Sequence, residues 1–298
     1  MDINTQEGVV CIEKEYVKGI LPKRKRDSHK GTYGKAAIVA GSEEYTGAAY
    51  LAAAACLRSG AGYTTLFAPK DILYLYALKS PEILLKPANE GGRYAFNEES
   101  MAQVSQYDSI AYGMGMGISK EVAKGAEYLL KNYAGKLLLD ADGLNSLAAY
   151  CAQELPALFA NKKCDVILTP HVKEFSRLSG YSVEEIEKDG VLLAKNYAKE
   201  HAVKILLKSA ASVITDGSFV GINRSGNSGQ AKGGSGDVLS GIIAGLCAMG
   251  AACLEGGCAG AFLAGTAAEL AVKTRSEYSL TASDCIDKLG EAFLYVLQ

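Results

Sequence analysis

Asp237 is the residue from which a chemistry can first be read. It lies in "GNSGQAKGGSGDVLSGIIAGL", Gly226 to Leu246, where a glycine-crowded loop meets an apolar helical stretch. Gly233, Gly234 and Gly236 let backbone N–H groups approach an anion with no Cβ in the way, and the helix that follows presents its positive end. A carboxylate at that end is stabilised by roughly 0.3 to 1 kcal/mol by the helix dipole, so Asp237 is expected to have a lowered pKa: a ready proton acceptor and a poor donor. An anion hole beside a base suits phosphoryl transfer, in which the base takes a proton from a hydroxyl while the amides hold the transferring group. The same spelling also fits an aspartate that caps a helix after a flexible turn.

Other polar groups and glycines recur where apolar β-type runs stop. Gly41-Ser42 follows "KAAIVA", and Gly113-Met114-Gly115-Met116-Gly117 follows "SIAY". Asp140 and Asp142 follow "LLL", Pro170-His171 follows "VILT", and Lys208 to Ser212 follows "ILL". Open parallel sheets bind ligands outside the carboxyl ends of their strands, so five such ends predict a crevice along one rim. Asp140 and Asp142 are candidate Mg²⁺ ligands, since that ion is held through few carboxylates plus phosphates and water; strand-end aspartates are equally common as helix caps.

The elements that must position these groups alternate. Strand candidates at Lys35 to Gly41, "GYTTLFAP", "EILLKP", "YDSIAYG", "KLLL", "CDVILT" and "VKILLK" are separated by helical periodicity over "TGAAYLAAAACLRSGA", Ile72 to Leu78, Glu121 to Tyr133 and Val183 to Ala202. Continuous runs such as "ILLK" and "VILT" imply burial on both faces, hence an α/β fold with a mostly parallel sheet covered by helices. "ASVITDG" and "FVGINRSG", joined at Asp216-Gly217, read as a hairpin, and the last third is almost wholly helical. No linker or repeat divides the chain, so residues 21–298 are expected to form a single domain behind an N-terminal extension of residues 1–20.

Composition narrows the setting. The 298 residues are 49% hydrophobic and 21% charged with a formal net charge of −2, which argues against disorder and against an extended basic surface for nucleic acid. The run Lys23 to Arg26 reads as a solvated loop. Eight scattered cysteines lack any C-x-x-C pair; Cys56, Cys247, Cys253 and Cys258, set among Ala, Leu and Gly, read as small buried hydrophobes of a reducing compartment. The N-terminus has no basic and apolar leader pattern, and glycines and Ser240 interrupt the greasy stretch Val238 to Leu254, so a cytoplasmic protein that does not span a membrane is expected.

Taken together, "HKGTYGKAAIVAGS", "GMGMG", "LLLDADGLN", "VILTPHVKEFSRLSG", "ILLKSAAS" and the Gly226 to Leu246 stretch resemble, in order and spacing, the ADP- or ATP-dependent NAD(P)H-hydrate dehydratases. The likeness covers about residues 21 to 297. It implies the ribokinase-like three-layer αβα sandwich and a repair reaction on the S-epimer of NADH or NADPH hydrated at C6 of the nicotinamide. The nucleotide phosphorylates the ring hydroxyl, and loss of phosphate restores the dihydropyridine. It further implies Asp237 as the base, Ala36, Gly115, His171 and Asp237 as contacts of the hydrated dinucleotide, and Lys208, Ser209, Ala210, Ala211, Ser212 and Gly236 as contacts of ADP or ATP. Gly233 and Gly234 complete the phosphate loop. Relatives pair with an epimerase; the region before His29 is too short for one, so a separate partner enzyme is expected. A homotetramer is expected from relatives and from the Ala/Gly-rich helices, and ADP is favoured as donor.

Two positions depart from the pattern. Met114 stands where the family commonly has proline between the glycines, and Ser209 stands where it has glycine, which would hinder a backbone with φ > 0. His29, Lys30 and Thr32 offer polar groups to a phosphate-bearing substrate, or form a flexible loop; His201 sits far from any motif. A ribokinase-like kinase acting on a thiazole or pyrimidine alcohol would share the fold and "GGSGD", and a non-catalytic nucleotide-binding protein would tolerate loss of Asp237.

Overall fold

The structure is a computed structural model in which residues 8–298 are described. They form one ten-stranded sheet: β1 (Val9–Cys11), β2 (Lys35–Val39), β3 (Tyr63–Ala68), β4 (Leu84–Pro87), β5 (Ser109–Tyr112), β6 (Lys136–Leu139), β7 (Asp165–Leu168), β8 (Lys204–Leu207), β9 (Ser212–Thr215) and β10 (Val220–Asn223). Their order across the sheet is β1-β10-β9-β8-β7-β6-β5-β2-β3-β4. Every pairing is parallel except the two made by β9, which runs against β8 and β10 as the hairpin signal predicts.

The helices are α1 (Lys14–Ile20), α2 (Thr46–Arg58), α3 (Leu73–Ala77), α4 (Glu98–Val104), α5 (Lys120–Asn132), α6 (Ala141–Tyr150), α7 (Leu155–Ala160), α8 (Val172–Ser179), α9 (Val183–His201), α10 (Ser235–Ala248), α11 (Cys253–Ala271) and α12 (Ala282–Leu297). Alternation along each strand sorts them into two layers. Ala36, Ile38, Leu66, Leu138, Ile167 and Leu206 face α1 to α3 and α10 to α12. Ala37, Val39, Phe67, Leu139, Val166 and Leu207 face α4 to α9. Both faces of the central strands are thereby removed from water, and burial of each large side chain such as Phe159 or Phe175 contributes roughly 1.5–3 kcal/mol. The three-layer α/β architecture with a mostly parallel sheet is the one the sequence predicts.

In the layer of α2, α10 and α11 the helices come into backbone contact. A Cβ placed on Gly241 of α10 would lie 2.1 Å from the carbonyl oxygen of Ala52 on α2, so only glycine lets these two helices approach to backbone contact. Cys56, Cys247, Cys253 and Cys258 are buried thiols in this layer. The small residues of α2, α10 and α11 are therefore occupied inside the molecule, which removes one argument for their use between subunits.

The sequence reading assigns no element at β1, α1, α4, α6, α7 or α8. Val9–Cys11 pairs in parallel with β10, and Val17 of α1 is fully buried against the α11 layer, so the described part of the N-terminal extension is tied into the sheet. Residues 1–7 of that extension lie outside the described residues. Among the described residues no helix is long and apolar enough to cross a membrane.

Candidate active site

The five strands whose ends carry the candidate groups, β8, β7, β6, β5 and β2, are consecutive neighbours. Their carboxyl ends thus make one continuous rim. The chain runs outward from β2 to β4 on one side and from β5 to β8 on the other, so the boundary between β2 and β5 is a topological switch point, where loops diverge and leave a crevice. A crevice of about 600 Å³ opens there, lined by Glu44, Tyr45, Leu51, Gly115, Asp142 and Asp237, together with Gly233 and Gly234.

Gly115 builds one wall. Its φ is +63°, and a Cβ on it would stand 2.8 Å from the Ala48 Cβ and 2.9 Å from the Tyr45 Cβ at the start of α2. Glycine is required twice over, by the left-handed backbone and by the approach of the two loops. Met114, in place of the family proline, is fully buried beneath the turn. The opposite wall is the start of α10. Gly234 is its N-cap with φ +98° and no side-chain cap, so the first-turn amides are not claimed by a capping side chain. Lys232 Nζ donates to the carbonyls of Tyr278 (2.5 Å) and Leu280 (2.8 Å), pinning the loop just before these glycines.

Asp237, in the first turn of α10, is half-buried and its carboxylate receives no hydrogen bond from any described residue. Burial first, then the nearby Asp140 and Asp142 carboxylates, push its pKa up to about 7, with Lys208 offsetting part of the rise. The expectation of a lowered value is overturned: desolvation and two like charges outweigh the helix dipole. A carboxyl poised near neutral pH accepts a proton and returns it with comparable ease.

Beneath Asp237 lies a buried polar network. Asp140, 1% exposed, ends β6 and begins α6; its Oδ1 is 2.7 Å from Lys208 Nζ and its Oδ2 accepts the Ser240 hydroxyl at 2.7 Å. Lys208 also stands 3.9 Å from Glu174 Oε2. Burial alone would lower the lysine pKa, but Asp140 and Glu174 outweigh it and hold the value above its usual range. A Cβ on Gly236 would fall 3.5 Å from Lys208 Nζ and 3.8 Å from Asp140 Oδ2, which sets the α10 loop directly against this pair.

His171 is the neighbour of Lys208 across the extension of β7 and β8, and the two are joined by an isolated parallel bridge. It caps α8: Nδ1 accepts the Lys173 and Glu174 amides at 3.1 and 3.2 Å, while Glu174 Oε2 accepts the His171 amide at 2.9 Å. A ring nitrogen that accepts two N–H bonds carries no proton, so in the neutral imidazole the proton is on Nε2. Burial, only partly opposed by Glu174, lowers the His171 pKa and keeps it neutral at pH 7. The side chain, 48% exposed, is thus a fixed-tautomer donor, with Nε2 3.4 Å from Glu174 Oε1, and also a structural cap.

The candidate residues do not all converge. Lys208 Nζ lies within the network. Ser209 to Ser212 form a self-contained turn beside it, with Ser209 Oγ on the Ala211 carbonyl and Ser212 Oγ on the Ser209 carbonyl. Ser209 has no positive φ, so this backbone does not demand the family glycine. Ala36 stands apart: it is the second residue of β2, fully buried and paired with Thr64 and Ser109, at the strand end away from the crevice. Its side chain is core. His29, Lys30 and Thr32 precede β2 and share that far edge, with Lys30 over the Tyr63 ring. His201 packs against Tyr197 at the end of α9.

The pair Asp140 and Asp142 does not fit the role of Mg²⁺ ligands. Both oxygens of Asp140 are taken by an ammonium and a hydroxyl, Asp142 Oδ2 accepts the Gly117 amide at 2.8 Å, and no cluster of three metal-binding side chains occurs among the described residues.

Sequence reasoning missed Ser240 and Glu174. Each had a signal: Ser240 is three residues after Asp237, on the same face of α10, and Glu174 is three residues after His171, in capping-box spacing.

The family model for NAD(P)H-hydrate dehydratase matches residues 36–290. The bifunctional NAD(P)H-hydrate repair enzyme Nnr of Thermofilum pendens is 36% identical over 277 residues, covering 91% of this chain and 52% of that protein. The ADP-dependent (S)-NAD(P)H-hydrate dehydratase of Bacillus subtilis is 33% identical over 279 residues, covering 93% of this chain and 95% of that protein. A crystal structure of the ADP/ATP-dependent NAD(P)H-hydrate dehydratase from Bacillus subtilis, co-crystallised with ATP and Mg²⁺, superposes with a TM-score of 0.85 at 31% identity, covering 98% of this chain and all of that one. The chain spans about half the length of the bifunctional relatives it matches. With family model, relatives and fold agreeing, the chain belongs to the NAD(P)H-hydrate dehydratase family.

Proposed function

We propose that this protein restores NADH and NADPH from their S-hydrates by nucleotide-driven dehydration, with ADP the favoured donor and ATP the other. The observation that carries the reading is the placement of Asp237: a carboxyl without hydrogen-bond partners, poised near pH 7, in the first turn of α10 and facing a crevice at the switch point of the sheet. The residues divide the work. Asp237 takes the proton of the ring hydroxyl as its oxygen attacks the terminal phosphorus of the nucleotide. The uncapped amides from Gly234 onward and the Lys208 ammonium stabilise the charge on the phosphoryl group. His171, donating from Nε2, orients the hydrated dinucleotide. Water is a poor leaving group and phosphate a good one, so phosphorylation is what makes the dehydration fast.

The same reading places the protein in the cytoplasm, as a single domain working beside a separate epimerase and supplied with Mg²⁺ bound to the nucleotide. It also includes a homotetramer, supported by the strongly exposed Leu78, Tyr74 and Leu294. The bifunctional names of the Nnr relatives support the link to an epimerase. The test is incubation of purified protein with S-hydrate of NADH or NADPH, Mg²⁺, and ADP or ATP in parallel, following absorbance of the reduced nicotinamide. Recovery of that absorbance with stoichiometric nucleotide cleavage is the expected result. A stable phosphoester with no recovery would instead mark a small-molecule kinase.

A further inference from the structure

Dehydration at this site needs two proton acceptors, a requirement that rests on the dehydratase reading above. Phosphorylation leaves the hydroxyl proton on Asp237. When phosphate departs with the C6–O electron pair, the N1 lone pair fills in to give an iminium ion. The C5–H bond must then break, its electrons forming the C5–C6 double bond and returning the pair to N1. While it still holds the hydroxyl proton, the Asp237 carboxyl cannot take the second.

The polar groups at the crevice can be sorted by what already engages them. Asp140 is 1% exposed with one oxygen on Lys208 and the other on Ser240. Glu174 is 6% exposed and committed to the His171 amide. His171 has Nδ1 on two backbone amides and its proton on Nε2. Lys208 is an ammonium held by Asp140, and Glu44 is ion-paired to Arg93 at the mouth. Asp142 is left. It lines the same crevice as Asp237 and is tethered by Oδ2 to the Gly117 amide at 2.8 Å. The residue between the two aspartates, Ala141, has φ +47°, a left-handed conformation rare for alanine. It sits where the chain sends Asp140 into the buried network and Asp142 to the crevice.

We propose that Asp142 is the second base, the carboxylate that takes the C5 proton as phosphate leaves. Burial and the neighbouring Asp140 raise its pKa above the usual carboxylate range, against the pull of the Gly117 and Met116 amides, which makes it a better acceptor than an exposed carboxylate.

The experiment follows nucleotide cleavage and NADH appearance together in single turnovers of wild type, Asp142→Asn and Asp142→Glu, with the S-hydrate of NADH as substrate. Asn keeps an oxygen for the Gly117 amide. In Asp142→Asn, NADH appearance is expected to fall at least ~10²-fold further than nucleotide cleavage, the lower end of general-base effects, so that phosphorylated hydrate accumulates. Asp142→Glu recovers part of the loss. The assignment is overturned if the two rates fall in step, or if Asp142→Asn forms NADH as fast as wild type, in which case the departing phosphate takes the proton. A wild type that cleaves nucleotide but forms no NADH overturns the dehydratase reading, and this assignment with it.

Discussion

Lys208 Nζ stands 2.7 Å from Asp140 Oδ1, and that ion pair is the floor on which the crevice rests: the side chains are 20% and 2% exposed, and Ser240 of α10 closes the other oxygen of Asp140. Removing one partner strands the other charge away from water. Lys208→Met is therefore expected to destabilise the fold by about 3 to 5 kcal/mol, read from denaturant unfolding. The double variant Lys208→Met with Asp140→Asn should recover part of that loss, because Asp140 is then no longer an unpaired buried charge, while Glu174 still lacks its cation.

The raised pKa of Asp237 carries opposite consequences for activity and stability. Its native value of about 7 compares with roughly 3.9 in an unfolded chain. Below the unfolded value the group is protonated in both states. As pH climbs from there to the native value, the unfolded chain ionises first, so the stability contributed by the neutral group is lost progressively up to about pH 7. Asp237→Asn should therefore be more stable than wild type above that pH and indistinguishable from it near pH 3, as compared by denaturant unfolding at each pH. Over the same window the kcat/KM of the wild type should rise as the base ionises.

Gly115 is held both by φ +63° and by the wall formed from Ala48 and Tyr45. Gly115→Ala is expected to cost about 1 to 3 kcal/mol in stability and to raise KM for the hydrate as the α2 loop is pushed outward. Thermal unfolding and steady-state kinetics on one preparation read both.

His171 has two duties that substitution can separate. His171→Ala removes the α8 cap and the Nε2 donor together, losing about 1 kcal/mol of stability and raising KM for the hydrate. His171→Asn restores a capping oxygen but not the reach of the imidazole, so it should regain stability while KM stays high.

Much of this was legible in the sequence because parallel βαβ units spell themselves out. Val166–Leu168 and Ile205–Leu207 are apolar throughout, as strands buried on both faces must be, and each leads into its polar strand end. The short edge elements were not. Val9–Cys11 has only three residues and no alternation to exploit, and it becomes a strand because β10 offers an edge. The site followed the same division. Gly115 and Asp237, named from glycine patterns and the family resemblance, line the crevice, and Lys208, Gly236 and His171 lie in or beside the polar network beneath it. The ionisation of Asp237 was misjudged because it depends first on burial and then on Asp140 and Asp142, which lie about a hundred residues away in sequence and are brought near by the fold. Ala36 was misplaced for a related reason: its neighbours in sequence carry a motif, but its side chain faces the core.

The central claim is that the Asp237 carboxylate activates the ring hydroxyl for phosphoryl transfer. The most direct measurement is the rate at which Asp237→Asn, with its fold verified by unfolding, regenerates NADH from the S-hydrate with saturating nucleotide. A loss of about 10² to 10⁴-fold with KM little changed is the predicted result. Regeneration within a few-fold of wild type would contradict the account.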